Sequence, residues 1–207
     1  EEKGLDSEEI YSTYLNPSNP MTWEQFRTLL KALVTDENGD GTPDDNVYGI
    51  SHYEVETAVY SNNANFFNED ASEQRITDPN FIEAIQFIAD LTLEDHVMVP
   101  AALQSEMDGF SRFLNSGCIF SFMGPWDCAQ FWEFDIAFTS NILPVPYNGD
   151  NPDAVSTAWV GSMGYCISNK ATSAETAAAI RLAKYLCLNE DAQRKFYELG
   201  QQVPNIV

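Results

Sequence analysis

The chain has 207 residues, 44% hydrophobic and 13% aromatic, with ten Lys plus Arg against 32 Asp plus Glu. This is the composition of a folded globular protein of one large or two small domains. A formal net charge of -22 excludes a nucleic-acid surface, which needs basic residues to neutralise phosphate, and disfavours docking to anionic lipid. No apolar run is long enough to span a bilayer, and no leader stands at the start of the chain. The expectation is a cytoplasmic protein or one whose leader has been removed. Beginning at Glu1 with no preceding strand, the sequence reads as a cut through a larger protein.

Residues 1–20 are acidic and polar and end in the loop signature Asn16-Pro17-Ser18-Asn19-Pro20. Thr22 and Gln25 have the spacing of a capping box. Phe26, Leu29, Leu30 and Leu33 then recur at helical spacing, predicting a helix that ends near Thr35. The acidic, glycine-rich stretch 36–46 follows, and Tyr48-Gly49-Ile50-Ser51 reads as a short strand. Residues 53–67 are poor in charge and rich in aromatics and amides. Asp78-Pro79 predicts a capped helix start, and Ile82, Ile85, Ile88 and Ala89 carry that helix to about Leu93.

The stretch 110–134 organises the rest. A helix end bearing Phe110, Phe113 and Leu114 runs through Asn115-Ser116-Gly117 into a buried strand from Cys118 to Met123, which stops at Gly124-Pro125 before Trp126. A large aromatic just past a strand's carboxyl end is well placed for ligand recognition in an open α/β protein; a core or interface role is the alternative. Further on, 135–138 and 142–145 read as extended segments limited by Pro144 and Pro146, and 148–153 as turns. Residues 158–168 read as strand, glycine break, strand. Ser173 is expected to cap an alanine-rich helix to Leu188, and Asn189 to cap a last helix ending at Gly200. Helices alternating with short strands give an α/β class.

Cys118, Cys128, Cys166 and Cys187 form no CxxC pair and no metal-ligand spacing. Cys118, Cys166 and Cys187 have apolar neighbours and are expected as small core residues. A Cys118–Cys128 bridge across the strand end is left open by the sequence.

Asp36-Glu37-Asn38-Gly39-Asp40-Gly41 opens like a calcium loop, with Asp36, Asn38, Asp40, the Thr42 carbonyl and Asp44 as oxygen ligands. Position twelve is Val47 where a bidentate Glu would stand, and Asp45 is the nearest substitute. A surface turn without an ion is the alternative. His52 and His96 sit in no motif and are expected to be solvated or structural. Carboxylate pairs of glycosidase type can be drawn from Asp127, Glu133 or Asp135, but among 32 acidic residues such a pairing carries little weight. Nucleophile elbow, P-loop and dinucleotide-binding glycines are all missing. What remains is a set of aromatics and amides, Tyr60, Asn62, Asn63, Asn65, Trp126, Trp159 and Tyr165. Neutral sugars are recognised by such a mixture, aromatic faces covering C–H patches and amides answering hydroxyls. For Tyr165 and Phe66 a core position is the expectation.

Four segments in register resemble one family. They are Pro20-Met21-Thr22-Trp23-Glu24-Gln25-Phe26; Asp36 to Asp44 with Tyr48-Gly49; Phe113 to Gly117 through Met123-Gly124-Pro125-Trp126; and Trp159 to Ser168 with the alanine-rich helix and Asp191-Ala192-Gln193. Together they resemble the carboxy-terminal part of an extracellular solute-binding protein (family 1) of a carbohydrate ABC importer. The resemblance implies a periplasmic-binding-protein-like (type II) fold of two α/β lobes with sugar in the cleft. It also implies that an amino-terminal piece of about a hundred residues lies outside this chain. Residues 1–157 would form most of the second lobe, 158–161 the hinge crossing, and 162–207 a return to the first lobe. Trp126 would stack on the sugar, Trp159, Gly161 and Ser162 would line the cleft, and Tyr60, Asn62 and Asn63 would join them, although the family more often has Gly-Gly at the asparagines. The calcium loop would be structural and far from the cleft. The implied protein binds and does not turn over its ligand. It would be a monomer when intact, periplasmic or extracellular, lipid-anchored, and partnered by a membrane permease. The alternatives are a glycoside hydrolase domain using acidic residues near Trp126, and a calcium-dependent carbohydrate-binding module.

Overall fold

A computed structural model of the chain describes residues 8, 10–133, 141–158, 164–201 and 203–204, and the side chains of Cys128 and Trp132 lie outside that description. The chain forms two compact units, one of residues 1–122 and 140–159, the other of 123–139 and 160–207. The sequence reading kept 1–157 in one piece; by packing, 123–139 belongs with the second unit.

In the first unit, helix α1 (Trp23–Leu33) starts at the expected capping box. The Gln25 N–H donates to the Thr22 hydroxyl, and the Thr22 N–H donates to the Gln25 side chain. Its buried face, Trp23, Phe26, Leu29 and Leu30, lies against strand β1 (Tyr48–Ile50), all of whose residues are buried. A Cβ on Gly49 would stand 2.9 Å from Leu30 Cδ2, so glycine sets how closely helix and strand approach. After the short helix α2 (Val55–Tyr60) comes α3 (Pro79–Leu93), with proline in its first turn as expected. Asp78 stands at the N-cap, but its side chain makes no capping bond; its carboxylate meets Arg75 Nε at 2.8 Å instead. The single turn α4 (Ala101–Gln104) and α5 (Gly109–Leu114), capped by Asp108, lead into β2 (Cys118–Phe120).

β1 and β2 pair in parallel, with Tyr48 opposite Cys118 and Ile50 opposite Phe120. On its other side β1 bonds the chain at Val97–Val99: the Ile50 N–H donates to the Val97 carbonyl and the Val99 N–H to the Ile50 carbonyl, both at 3.1 Å. The predicted strand to Met123 is cut short at Phe120, because the chain leaves this unit after Phe122. It returns to close the unit: Tyr147 bonds both sides of α1's start, its carbonyl accepting from Trp23 at 2.7 Å. Residues 142–145, expected as an extended segment, make no named strand, and 135–138 lie outside the described residues. The core is aromatic. Trp23 stacks on Phe87 with centroids 4.2 Å apart, and Tyr53 sets its edge against Phe87 and Phe122. Phe66, expected in the core, packs against it edge-on to Phe81.

The second unit holds a turn at Pro125–Asp127 and helices α6 (Cys128–Glu133), α7 (Ser173–Leu188) and α8 (Glu190–Glu198). Thr172, not Ser173, caps α7, in a full capping box with Glu175; the box spacing falls on Thr172 and the acidic residue decides. Asn189 caps α8 as expected, and Gly200 follows with φ +65, the left-handed conformation that glycine adopts without steric cost. Of the described residues of the expected strand 158–168, none lies in a strand, and Tyr165, expected in the core, is exposed. Cys166 is likewise exposed and Cys187 half-buried, so only Cys118 fits the core reading of the three. Cys118 is a free, buried thiol and makes no bridge.

Candidate functional site

Trp126 occupies the middle of the turn Pro125–Asp127. The turn is closed by the Asp127 N–H, which donates to the Gly124 carbonyl at 3.0 Å, and by the Gly124 N–H, which donates to Asp127 Oδ2 at 2.9 Å. The indole lies back across Gly124: a Cβ there would stand 2.2 Å from Trp126 Cζ2, so glycine is required at that position. Proline fixes the backbone before the indole, and Trp126 remains 53% exposed. The result is a pre-oriented aromatic side chain open to solvent, an arrangement that can stack on an apolar ligand face at low entropic cost. Asp127, a candidate hydrolytic carboxylate in the sequence, is buried and holds this turn. Its companion Asp135 falls outside the described residues, and Glu133 is exposed.

Trp159, Gly161 and Ser162 lie outside the described residues. Tyr60, Asn62 and Asn63 follow one another at the end of α2 but differ in surroundings. Tyr60 is half-buried against Phe66. Asn63 is exposed, with φ 51. Asn62 is 0% exposed and its amide is fully engaged: Nδ2 donates to the Asn80 carbonyl and to Glu83 Oε2, both at 2.8 Å, while Oδ1 accepts from Asn148 Nδ2 at 2.9 Å and Asn151 Nδ2 at 3.0 Å. Within this unit Asn62 is therefore a brace that binds the end of α2 to α3 and to the returning segment 148–151.

The sequence reading missed a second group. Ser51 and Ser121 come directly after β1 and β2, at the shared carboxyl edge of the parallel pair, where α/β proteins bind ligands. Ser51 Oγ lies 2.9 Å from Ser121 Oγ and 3.0 Å from His52 Nδ1, and His52 Nε2 lies 3.2 Å from Glu54 Oε1. A Cβ on Gly109 would stand 2.8 Å from both Ser51 Oγ and His52 Nδ1, so the imidazole is clamped from the side as well. Hydroxyl, imidazole and carboxylate in a row suggest nucleophilic chemistry, but Ser51 is only 2% exposed and cannot meet a substrate. The row fixes the imidazole and leaves His52 and Glu54 partly exposed at the strand edge. Its only signal in the sequence was position: Ser51 ends one predicted strand, His52 follows it, and Ser121 lies within the other.

In the loop 36–44 the acidic oxygens turn inward onto the backbone. Asp36 accepts from Gly39 and Gly41, both at 2.9 Å; Asp40 Oδ1 accepts from Thr42 at 2.9 Å; Asp44 Oδ2 accepts from Glu37 at 2.8 Å. Gly39 and Gly41 have φ +71 and +82, and the His96 ring packs on Gly41, giving His96 a structural role. Among the described residues no group of three His, Cys, Asp or Glu side chains is gathered to hold a metal ion. The oxygens of Asp36, Asn38, Asp40, Thr42 and Asp44 are still the hard donors that calcium takes.

The same fold is seen in solved structures of sugar-bound proteins. An ABC substrate-binding protein of Listeria monocytogenes in complex with cycloalternan matches with a TM-score of 0.69 at 20% identity, over 95% of this chain and 48% of its own. A maltose/maltodextrin-binding domain of Bdellovibrio bacteriovorus bound to maltotriose matches with 0.68 at 19%, over 91% and 49%. An ABC transporter solute-binding protein of Thermotoga lettingae bound with alpha-D-tagatose matches with 0.70 at 21%, over 96% and 50%. The chain thus has the α/β, type II periplasmic-binding-protein-like fold and spans about half the length of these structures. No curated protein sequence matches. The family profile described as bacterial extracellular solute-binding protein aligns with residues 9–206. With nearly every residue inside that match, from the capping box of α1 to the last helix, the chain belongs to the bacterial extracellular solute-binding proteins.

Proposed function

We propose that this chain is part of a carbohydrate receptor for an ABC importer, which closes on a sugar and delivers it to a membrane permease without turnover. The observation that carries this reading is the exposed indole of Trp126, braced on Gly124, in a chain of the solute-binding family whose fold recurs in proteins bound to cycloalternan, maltotriose and tagatose. Trp126 is the stacking residue, and Trp159, Gly161, Ser162, Tyr60 and Asn63 are the further sugar contacts that the family resemblance gives. Asn62 acts as a brace within its own unit. Residues 1–122 and 140–159 supply part of one lobe, and 123–139 with 160–207 part of the other. In support, α7 has no buried residue and leaves Leu182, Tyr185 and Leu188 exposed along one face, a surface that a further layer of a lobe would cover. No helix among the described residues is long and apolar enough to cross a membrane, and attachment of the intact monomeric receptor is proposed to be through lipid. Calcium in the loop 36–44 would be structural. No observation favours the hydrolase: among the described residues, the candidate carboxylate Asp127 holds a turn.

The test is titration of the parent protein with maltotriose, cycloalternan and tagatose, followed by tryptophan fluorescence, with the mixtures then chromatographed. Saturable change with unaltered sugar is expected. Trp126→Ala is expected to weaken that binding by about 5- to 150-fold, the effect of losing about 1–3 kcal/mol of aromatic anchor, with the fold retained. Cleaved sugar, or an affinity untouched by Trp126→Ala, refutes the reading.

A further inference from the structure

The tripeptide Asn-Gly-Asp occurs at 38–40 and again at 148–150, and in both copies the asparagine side chain closes a turn onto the backbone two residues on, with the glycine left-handed only in the first (Gly39, φ +71). The Asp40 N–H donates to Asn38 Oδ1 at 2.8 Å, and the Asp150 N–H donates to Asn148 Oδ1 at 3.1 Å. Such a turn folds the asparagine side chain over the backbone that follows it. Everything around the two copies differs.

Asn148 is buried, and its amide nitrogen donates to Asn62 Oδ1 at 2.9 Å and to Glu83 Oε2 at 3.0 Å. Gly149 is pressed on Thr22, whose Cγ2 would stand 2.5 Å from an added Cβ. Asn38 is exposed and lines a shallow open hollow with Thr35, Glu37 and Asp44. Among the described residues no hydrogen bond restrains its Nδ2, and no atom lies within 4 Å of where a Cβ on Gly39 would stand.

We infer that Asn38 is a site of self-modification by deamidation and that Asn148, with the same tripeptide and the same side-chain bond, is protected. The Gly39 backbone nitrogen attacks Asn38 Cγ, and the new N–Cγ bond closes a succinimide ring. The Cγ–Nδ2 bond breaks, and ammonia leaves with the proton given up by the Gly39 N–H. Water then opens the ring at either carbonyl, leaving aspartate or isoaspartate at position 38. Glycine suits the step because no side chain hinders its nitrogen. The Gly39 N–H must first leave Asp36 Oδ1, its partner at 2.9 Å, which an exposed loop achieves by local opening. Asn148 must instead break a buried network before its amide can depart. The aspartate product adds a carboxylate to the acidic loop, and the isoaspartate product lengthens its backbone by one methylene.

The 207-residue chain is aged in warm, mildly alkaline buffer with and without concentrated guanidinium chloride. Peptide mapping by mass spectrometry follows, with isoaspartate labelled by a specific methyltransferase. In the folded protein Asn38 is expected to convert at least about tenfold faster than Asn148. In denaturant the two rates should come within about twofold, since the tripeptides are identical and the fold no longer separates them. Equal rates in the folded protein overturn the inference, as does an Asn38 that keeps its amide there while converting in denaturant.

Discussion

An Asn62→Ala substitution separates a brace from a ligand contact. It deletes the amide that joins Asn80, Glu83, Asn148 and Asn151 while leaving the backbone carbonyl of residue 62 to Asn151, 2.9 Å away. Three of the lost bonds are neutral and count about 1 kcal/mol each; the one to the Glu83 carboxylate counts about 1.5–3 kcal/mol. Glu83 is exposed and recovers water, and Asn148 keeps its bond to Glu83, so the net loss is about 3 kcal/mol. For a chain of this size that lowers the unfolding midpoint by about 6–12 °C. The assay is thermal unfolding of the first unit followed by circular dichroism, alongside sugar titration of the parent protein. An unchanged midpoint combined with lost sugar affinity would return Asn62 to the ligand and refute the brace.

Acid should loosen α1 from the end of α3. Asp95, its side chain 2% exposed, takes Arg27 Nη2 at 2.9 Å and Lys31 Nζ at 2.6 Å. Burial alone would push its carboxyl up, but the hydrogen bonds and charges of Arg27 and Lys31 outweigh burial and hold it below the usual range. Its stabilisation is therefore complete above the unfolded carboxyl pKa and disappears as pH falls through the lowered folded value. Asp95→Asn should flatten that acid limb of stability against pH, and an unchanged limb would exclude Asp95 as its source. Burial pushes the Cys118 thiol up to about 12, so iodoacetamide at neutral pH should label exposed Cys166 in the folded protein and leave Cys118 untouched; equal labelling would contradict its burial. If the loop 36–44 holds calcium, added calcium should raise the unfolding midpoint and Asp36→Asn should abolish that rise without altering sugar affinity. A midpoint indifferent to calcium removes the ion from the loop.

What was legible in the sequence was local. The capping box at Thr22, the cap at Asn189 and the left-handed Gly200 each depend on residues within one helical turn, and the structure contains all three. The Thr172 box was visible in the same way and was misread by one residue. Trp126 could be picked out by its place after a strand, but its seat on Gly124 is a matter of side-chain direction that spacing does not encode. Asn62 shows the opposite failure. An amide in a run of amides looks like surface, and its decisive partners lie 86 and 89 residues away. The row from Ser121 to Glu54 was hidden for the same reason, since Ser51 and Ser121 are 70 residues apart in the chain and neighbours only once β1 and β2 have paired.

The knot at Asn62 also has a timetable. A ribosome delivers Asn62 86 residues before Asn148, an interval of about 4–17 s at ordinary rates of synthesis. Throughout that interval α2 and α3 can meet, but the wall formed by Tyr147, Asn148 and Asn151 does not yet exist, and the 123–139 excursion has to be made in between. The first unit is therefore completed only after part of the second has been synthesised. A nascent chain stalled before Tyr147 should be open to proteases along its α1 and α2 edge, and one stalled beyond Thr157, with enough further length to clear the exit tunnel, should resist them.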